Sequence, residues 1–275
     1  MIMMPFTRMI STAFSTKKYY VALNATYKDI YGKHMMLHYP MYMNKNETLE
    51  RRQLNLTDYC LSKTECLTKK TILEIGCGNG IQSMYVSDNF KPHTVIGIDL
   101  NPDNIKIAKE NSLGKNNLHF YVDDAHKLDQ IADNSIDVAI CIESAFHYPQ
   151  KDLFLKQIER VLKPHGKFII ADIINKSSKR KQIGFWKRSM AFHHWTEEQY
   201  VNSFNSSKLE LQLKENITSQ VMKGYQGHIG WIGRVNFNSW LNYQLCRLFA
   251  IILIGINIHL LKRKENYLLL AGVKA

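Results

Sequence analysis

The sequence predicts a doubly wound α/β fold, a mostly parallel sheet with helices on both faces. Three observations predict it: strand and helix signals alternate from Thr71 to Ile174, a glycine-rich turn follows the first strand, and the second strand ends in an acid. A chain of 275 residues with 45% hydrophobic content can bury one substantial core of this kind. In such a sheet the functional site lies outside the carboxyl ends of the strands.

Residues 1–65 read as an N-terminal helical cover rich in aromatics, among them Tyr19, Tyr20, Tyr27, Tyr31, Tyr39 and Tyr42. The first acid is Asp29, and Arg8, Lys17 and Lys18 sit among Ser and Thr. That composition suits a transit peptide or a plain flexible arm, and it lacks the layout of a signal peptide.

Thr71 to Ile75 is an apolar, β-branched run of strand length. Gly76, Gly78 and Gly80 then allow turns and a close backbone approach that a Cβ would obstruct. From Ile81 to Asn89 the spacing suits a helix, whose free N–H groups and positive end would face a ligand. The third glycine comes one residue earlier than in a G-x-G-x-x-G dinucleotide fingerprint, which disfavours a diphosphate and with it a nicotinamide dehydrogenase. Glu74 would set an anion beside the loop, suiting a sulfonium or ammonium cation. The second strand, Thr94 to Leu100, carries Asp99 where doubly wound folds place an acid on ribose hydroxyls.

Further along, Trp195-Thr-Glu-Glu-Gln-Tyr200 predicts a helix capped by Thr196, and Leu209 to Ile217 a sixth strand. The last strand is Asn266 to Val273, and the helical stretch before it, about 218–262, reads as a substrate lid. Residues 66–275 thus form one unit with that lid inserted. Within it, Phe249 to Leu261 is the strongest apolar run. It is too short to span a bilayer, with Asn257 and His259 interrupting it, so a buried lid helix is expected over a membrane-inserting one and peripheral membrane contact is not favoured.

Five cysteines, Cys60, Cys66, Cys77, Cys141 and Cys246, show no metal-like spacing and read as reduced thiols of a cytoplasmic protein. A net charge of +12 raises the question of nucleic acid, but its densest group, Lys176 to Arg188, falls in one loop with no recognition module, and no specific nucleic acid is expected.

Glu74, Gly76, Gly78, Gly80 and Asp99 together resemble the E-x-G-x-G-x-G loop and acidic second strand of the class I S-adenosylmethionine-dependent methyltransferases. The resemblance extends over roughly residues 30 to 275. It implies a seven-stranded Rossmann-like sheet, S-adenosyl-L-methionine as cofactor with S-adenosyl-L-homocysteine as its product, and no metal. It also implies that the loop, Cys77 included, cradles the methionine part, that Asp99 and Leu100 meet the ribose side, and that Asp124 and Ala125 border adenine. Leu37-His-Tyr-Pro-Met-Tyr42 resembles the aromatic segment lying over the cofactor in small-molecule members, which brings in Tyr39; a core-packing stripe is the alternative.

Glu143-Ser-Ala-Phe-His-Tyr-Pro149, after the fourth strand, resembles the matching segment of sugar and lipid O-methyltransferases, the phthiotriol-lipid enzymes in particular. That implies a catalytic Glu143 and His147, with His147 as the base that takes a hydroxyl proton. Asp172, at the end of the fifth strand, is the expected partner orienting His147. The acceptor implied is a small-molecule or lipid hydroxyl. A C-methyltransferase of the sterol or cyclopropane-lipid kind, and a non-catalytic cofactor-binding protein, are the alternatives.

Overall fold

The computed structural model describes residues 15–177, 191–226 and 240–275. Seven strands form one sheet in the order β3-β2-β1-β4-β5-β7-β6. They are β1 (Thr71–Ile75), β2 (Thr94–Asp99), β3 (Leu118–Val122), β4 (Ile136–Ile142), β5 (Leu162–Asn175), β6 (Leu209–Asn216) and β7 (Glu265–Lys274). The pairs among β1 to β5 are parallel, while β7 runs antiparallel between β5 and β6. The expected doubly wound, mostly parallel sheet is the one observed.

The helices are α1 (Thr16–Tyr31), α2 (Leu49–Leu61), α3 (Ile81–Phe90), α4 (Pro102–Asn111), α5 (Lys151–Val161), α6 (Glu197–Asn205), α7 (Thr218–Gln226) and α8 (Trp240–Arg263). Local chemistry explains where several begin. Asn101 caps α4 by accepting from the Asp103 N–H, with Pro102 in the first turn where its missing N–H costs nothing. Thr196 and Gln199 close a capping box on α6.

Core burial follows the alternation of the central strands. Ile72, Val138, Ile140 and Ile169 face one layer; Leu73, Ile75, Ala139, Phe168 and Ile170 face the other. Each fully buried Leu, Ile or Phe contributes about 1.5–3 kcal/mol over its exposed state, which makes this double-sided packing the dominant stabilising term.

Strand order reverses between β1 and β4, so the loops that follow these two strands flank the crevice where ligands of doubly wound sheets bind. Helix α1 crosses that end of the sheet. Its Asn24 and Tyr20 reach the loops after β1, β2 and β4.

The apolar run in α8 is only partly a buried lid helix. Ile254 and Leu261 are buried, but Leu248, Ile251, Ile252 and Ile256 are exposed, on a face over which no described element packs. Among the described residues no helix is long and apolar enough to cross a membrane. Most of the basic group between Lys176 and Arg188, and residues 1–14, lie outside the described residues.

Candidate active site

The glycine loop is built for close approach. Gly76, Gly78 and Gly80 all take positive φ, at 78°, 54° and 76°. A Cβ on Gly76 would stand 2.3 Å from Ser144 Oγ, and one on Gly80 would stand 2.8 Å from the Ala108 Cβ. On Gly78 it would stand 2.9 Å from Leu37 Cδ1, so the segment from Leu37 to Tyr39 covers the loop directly. Cys77 is buried within it and its N–H donates to the Ile98 carbonyl at 2.9 Å.

Asp99 sits at the mouth of this loop. Its Oδ2 accepts from the Gly78 N–H at 3.0 Å, and its Oδ1 accepts from the Asn101 N–H at 2.8 Å and Asn104 Nδ2 at 3.3 Å. Burial pushes its carboxyl above the ordinary range, and these donors draw it back. From Asn104 the network continues upward: Asn24 Nδ2 donates to Asn104 Oδ1 at 3.1 Å, and Asn79 Nδ2 donates to Asn24 Oδ1 at 2.7 Å and to the Met35 carbonyl at 2.8 Å. Three asparagines thus tie α1 to the glycine loop and to the first turn of α4.

Glu74, two residues before the loop, has its carboxylate taken up by the helix that follows the loop. It is 3% exposed, Gln82 Nε2 donates to its Oε1 at 2.9 Å, and the Ser83 hydroxyl donates to its Oε2. Burial raises its carboxyl to about 7. The side chain therefore clamps β1 to the first turn of α3.

At the end of β3 the two acids divide their work. Asp123 organises the turn by accepting from the N–H groups of Asp124, Asp129 and Gln130. Asp124 accepts from the His126 N–H at 2.9 Å and lies 2.6 Å from His126 Nδ1, beside the buried Ala125. Leu100 is 57% exposed at the end of β2.

After β4 the chain turns sharply at Glu143, a non-glycine residue at φ 53°. Such a conformation costs about 1–3 kcal/mol and persists where surrounding contacts impose it. Here the Tyr39 N–H at 2.7 Å and Tyr267 Oη at 2.8 Å both donate to Glu143 Oε1. Burial pushes its carboxyl to about 8. Tyr39 also donates from its hydroxyl to Asn257 Oδ1 at 3.1 Å and stacks on Tyr225 with centroids 4.7 Å apart.

The short turn Ala145–His147 then carries His147 into an aromatic surround. Its Nε2 lies 2.9 Å from Tyr20 Oη, and Phe146 and Phe192 pack on it with centroids at 4.4 and 5.3 Å. Burial holds the Tyr20 phenol well above its ordinary pKa, so its proton stays on, and the tautomer of His147 sets which of the two groups donates.

Asp172 is not the partner expected for His147. It is fully buried in the other layer of the sheet, where Tyr200 Oη donates to its Oδ2 at 2.7 Å. Alternation along β5 decides this: Ala171 and Ile173 share the layer of Phe146, while Ile170, Asp172 and Ile174 face α6.

Tyr20, Asn24, Asn79, Asn104 and Tyr267 are the residues of this crevice that sequence reading did not single out. Asn79, between two loop glycines, was the one within a recognisable motif.

Comparison with known proteins agrees with this arrangement. A family profile described as a methyltransferase domain matches residues 68–224. A fatty-acid O-methyltransferase of Mycolicibacterium smegmatis is 32% identical over 151 residues, covering 54% of this chain and 52% of that protein. The phthiotriol/phenolphthiotriol dimycocerosates methyltransferase of Mycobacterium leprae is 30% identical over 187 residues, covering 67% of this chain and 62% of that protein. The chain thus spans little more than half the length of these curated relatives. Among solved structures, phosphoethanolamine N-methyltransferase 2 of Haemonchus contortus, in complex with phosphomonomethylethanolamine and S-adenosylhomocysteine, superposes with a TM-score of 0.77 at 17% identity, covering 96% of this chain and 60% of that one. With more than half of its residues inside the matched profile, the chain belongs to the methyltransferase-domain family.

Proposed function

We propose that this protein transfers a methyl group from S-adenosyl-L-methionine to a hydroxyl of a hydrophobic small molecule or lipid. The observation that carries the reading is the Tyr20–His147 pair, held at the crevice whose floor is the glycine loop and whose rim holds Asp99. The glycine cradle and a carboxylate at the end of β2 fit the methionine and ribose parts of that cofactor, and the relatives named above include lipid methyltransferases.

S-adenosyl-L-methionine supplies a methyl group activated by a sulfonium. Asp99 offers the ribose hydroxyls an acceptor, and Gly76 and Gly78 let backbone approach the amino-acid part. Leu37 to Tyr39 and α1 close over the loop and exclude water. Cys77, Leu100, Asp124 and Ala125 complete the proposed cofactor walls. Alignment of donor and acceptor is the main catalytic demand of an in-line displacement.

A hydroxyl acceptor must also lose its proton as the carbon–oxygen bond forms. In the tautomer with its proton on Nδ1, His147 accepts the Tyr20 hydroxyl at Nε2 and presents a lone pair at that position. An acceptor hydroxyl that displaced Tyr20 Oη would give its proton to Nε2 as its oxygen took the methyl group, the carbon–sulfur bond of the sulfonium breaking to leave S-adenosyl-L-homocysteine. Glu143 fixes Tyr39 and Tyr267 at the acceptor side.

A second reading, methylation at carbon, draws on Glu143, an acid held at positive φ among Tyr39 and Tyr267 where it can face a developing cation. The test is titration of S-adenosylhomocysteine into the protein, followed by a labelled-methyl screen over lipid, polyketide and amine pools. Cofactor binding with label on oxygen supports the proposal; a new carbon–methyl bond by NMR supports the second reading. Binding of a nicotinamide cofactor in its place removes both.

A further inference from the structure

The exposed side of α8 is an apolar stripe without a partner among the described elements. Leu248, Ile251, Ile252 and Ile256 are 57%, 37%, 49% and 51% exposed, and they recur at spacings of three and four residues, which places them on one helix face. Gly255 lies within the stripe, and a Cβ there would meet nothing within 4 Å. Single exposed apolar residues are ordinary on protein surfaces, but a continuous row along a helix marks an interaction face.

Charge identifies the occupant. Six residues beyond Ile256 the cluster Lys262, Arg263 and Lys264 begins, all exposed. Lys176 joins them, its backbone N–H donating to the Lys264 carbonyl at 3.1 Å and its Nζ to the Lys262 carbonyl at 2.9 Å. The single acid in the sequence from Trp240 to Ala275, Glu265, is buried. An apolar face running into a cluster of cations complements a surface that is apolar inside and anionic at its boundary. A second copy of the chain, itself at +12, presents the wrong sign.

We infer that α8 lies in the plane of an anionic lipid membrane, with the stripe among the acyl chains and the basic cluster on the headgroups. The helix is not apolar enough to cross, so it docks along the interface. Its opposite side reaches the candidate site: Asn257 Nδ2 donates to Tyr225 Oη at 3.2 Å, and Asn257 Oδ1 accepts from Tyr39. One helix therefore joins the membrane face to the crevice that holds Glu143 and Tyr39. Resting on the lipid-acceptor reading above, this makes the acceptor class one that resides in the bilayer and enters past α8.

Sedimentation of the full chain with phosphatidylcholine vesicles, with and without phosphatidylglycerol, at low and high salt, tests it. The protein pellets with the anionic vesicles, less so at high salt. Ile252→Glu with Ile256→Glu, and separately Lys262→Glu with Arg263→Glu, each lower the partition coefficient by about tenfold or more. The charge reversal touches only exposed side chains and serves even where the apolar replacement fails to fold. Absence of pelleting with anionic vesicles overturns the inference, as does pelleting undiminished in both variants. A wild-type dimer in analytical ultracentrifugation that the isoleucine variant makes monomeric also overturns it, by assigning the stripe to a second copy. S-adenosylhomocysteine titration of the same samples keeps the two readings apart: vesicle binding without cofactor binding defeats the methyl-transfer reading alone, and the reverse defeats the membrane inference alone.

Discussion

Tyr20 Oη and His147 Nε2 meet at 2.9 Å although 127 residues separate them in the chain. The contact joins the N-terminal helix to the turn after β4, and so closes the crevice directly over the group assigned as base. Replacement of His147 by Ala is expected to lower turnover on a hydroxyl acceptor by about 10²–10⁴-fold, the usual contribution of general base catalysis, while leaving S-adenosylhomocysteine affinity unchanged by calorimetry. Tyr20→Phe, which deletes one hydrogen bond, is expected to cost about tenfold or less. Equal turnover in His147→Ala and wild type would remove His147 from the mechanism.

The loop glycines differ in what a methyl group would strike. At Gly76 the added carbon collides with Ser144, whose hydroxyl is itself fixed on the Ile75 carbonyl at 2.9 Å. At Gly78 it meets only the flexible end of Leu37. Gly76→Ala is therefore expected to destabilise by more than the roughly 1 kcal/mol that positive φ alone costs a non-glycine residue, and Gly78→Ala by close to that amount. Denaturant melts of the two variants should rank in this order.

The asparagine relay predicts a long-range effect on cofactor binding. Asn24 lies outside the glycine loop, yet it accepts from Asn79 and donates to Asn104, which in turn donates to Asp99. Asn24→Ala leaves two buried polar partners short of one bond each and is expected to cost about 1–3 kcal/mol of stability. It should weaken S-adenosylhomocysteine binding as well, because Asp99 and the α1 cover are no longer tied together. Unaltered affinity in a folded Asn24→Ala protein would show that the relay serves stability only.

Most of the fold is legible because period and glycine placement are local signals: β1, β2 and the turn at Gly76 to Gly80 all stand where the pattern puts them. The position of Asp99 is legible for the same reason, as the acid that ends the second strand. What failed depended on which way a side chain points in three dimensions. Asp172 lies within the fifth strand but faces the layer of α6, and the bonds of Glu74 to Gln82 and Ser83 depend on the helix that follows the loop. Tyr20 and Asn24 carry no motif, since their roles come from the path of α1 across the sheet. In α8 both faces are apolar, so the sequence contained no contrast from which to tell the covered side from the open one.

Two buried acids should write themselves into the pH dependence of stability. Burial raises Glu74 to about 7 and Glu143 to about 8. Because the folded values lie above the ordinary carboxyl range, each contributes stability that is fully present below that range and is lost as pH rises through the folded value. The melting temperature of the free protein is thus expected to fall between about pH 5 and about pH 9 in two overlapping steps. Glu74→Gln removes the charge while Gln82 and Ser83 keep polar partners, the Ser83 hydroxyl being able to turn and accept. That variant should lose the step near 7 and retain the one near 8, whereas Glu143→Gln should do the opposite. Calorimetric melts across this range decide the matter: a pH profile identical in wild type and Glu74→Gln would mean that the Glu74 carboxyl is not held protonated by its burial between β1 and α3.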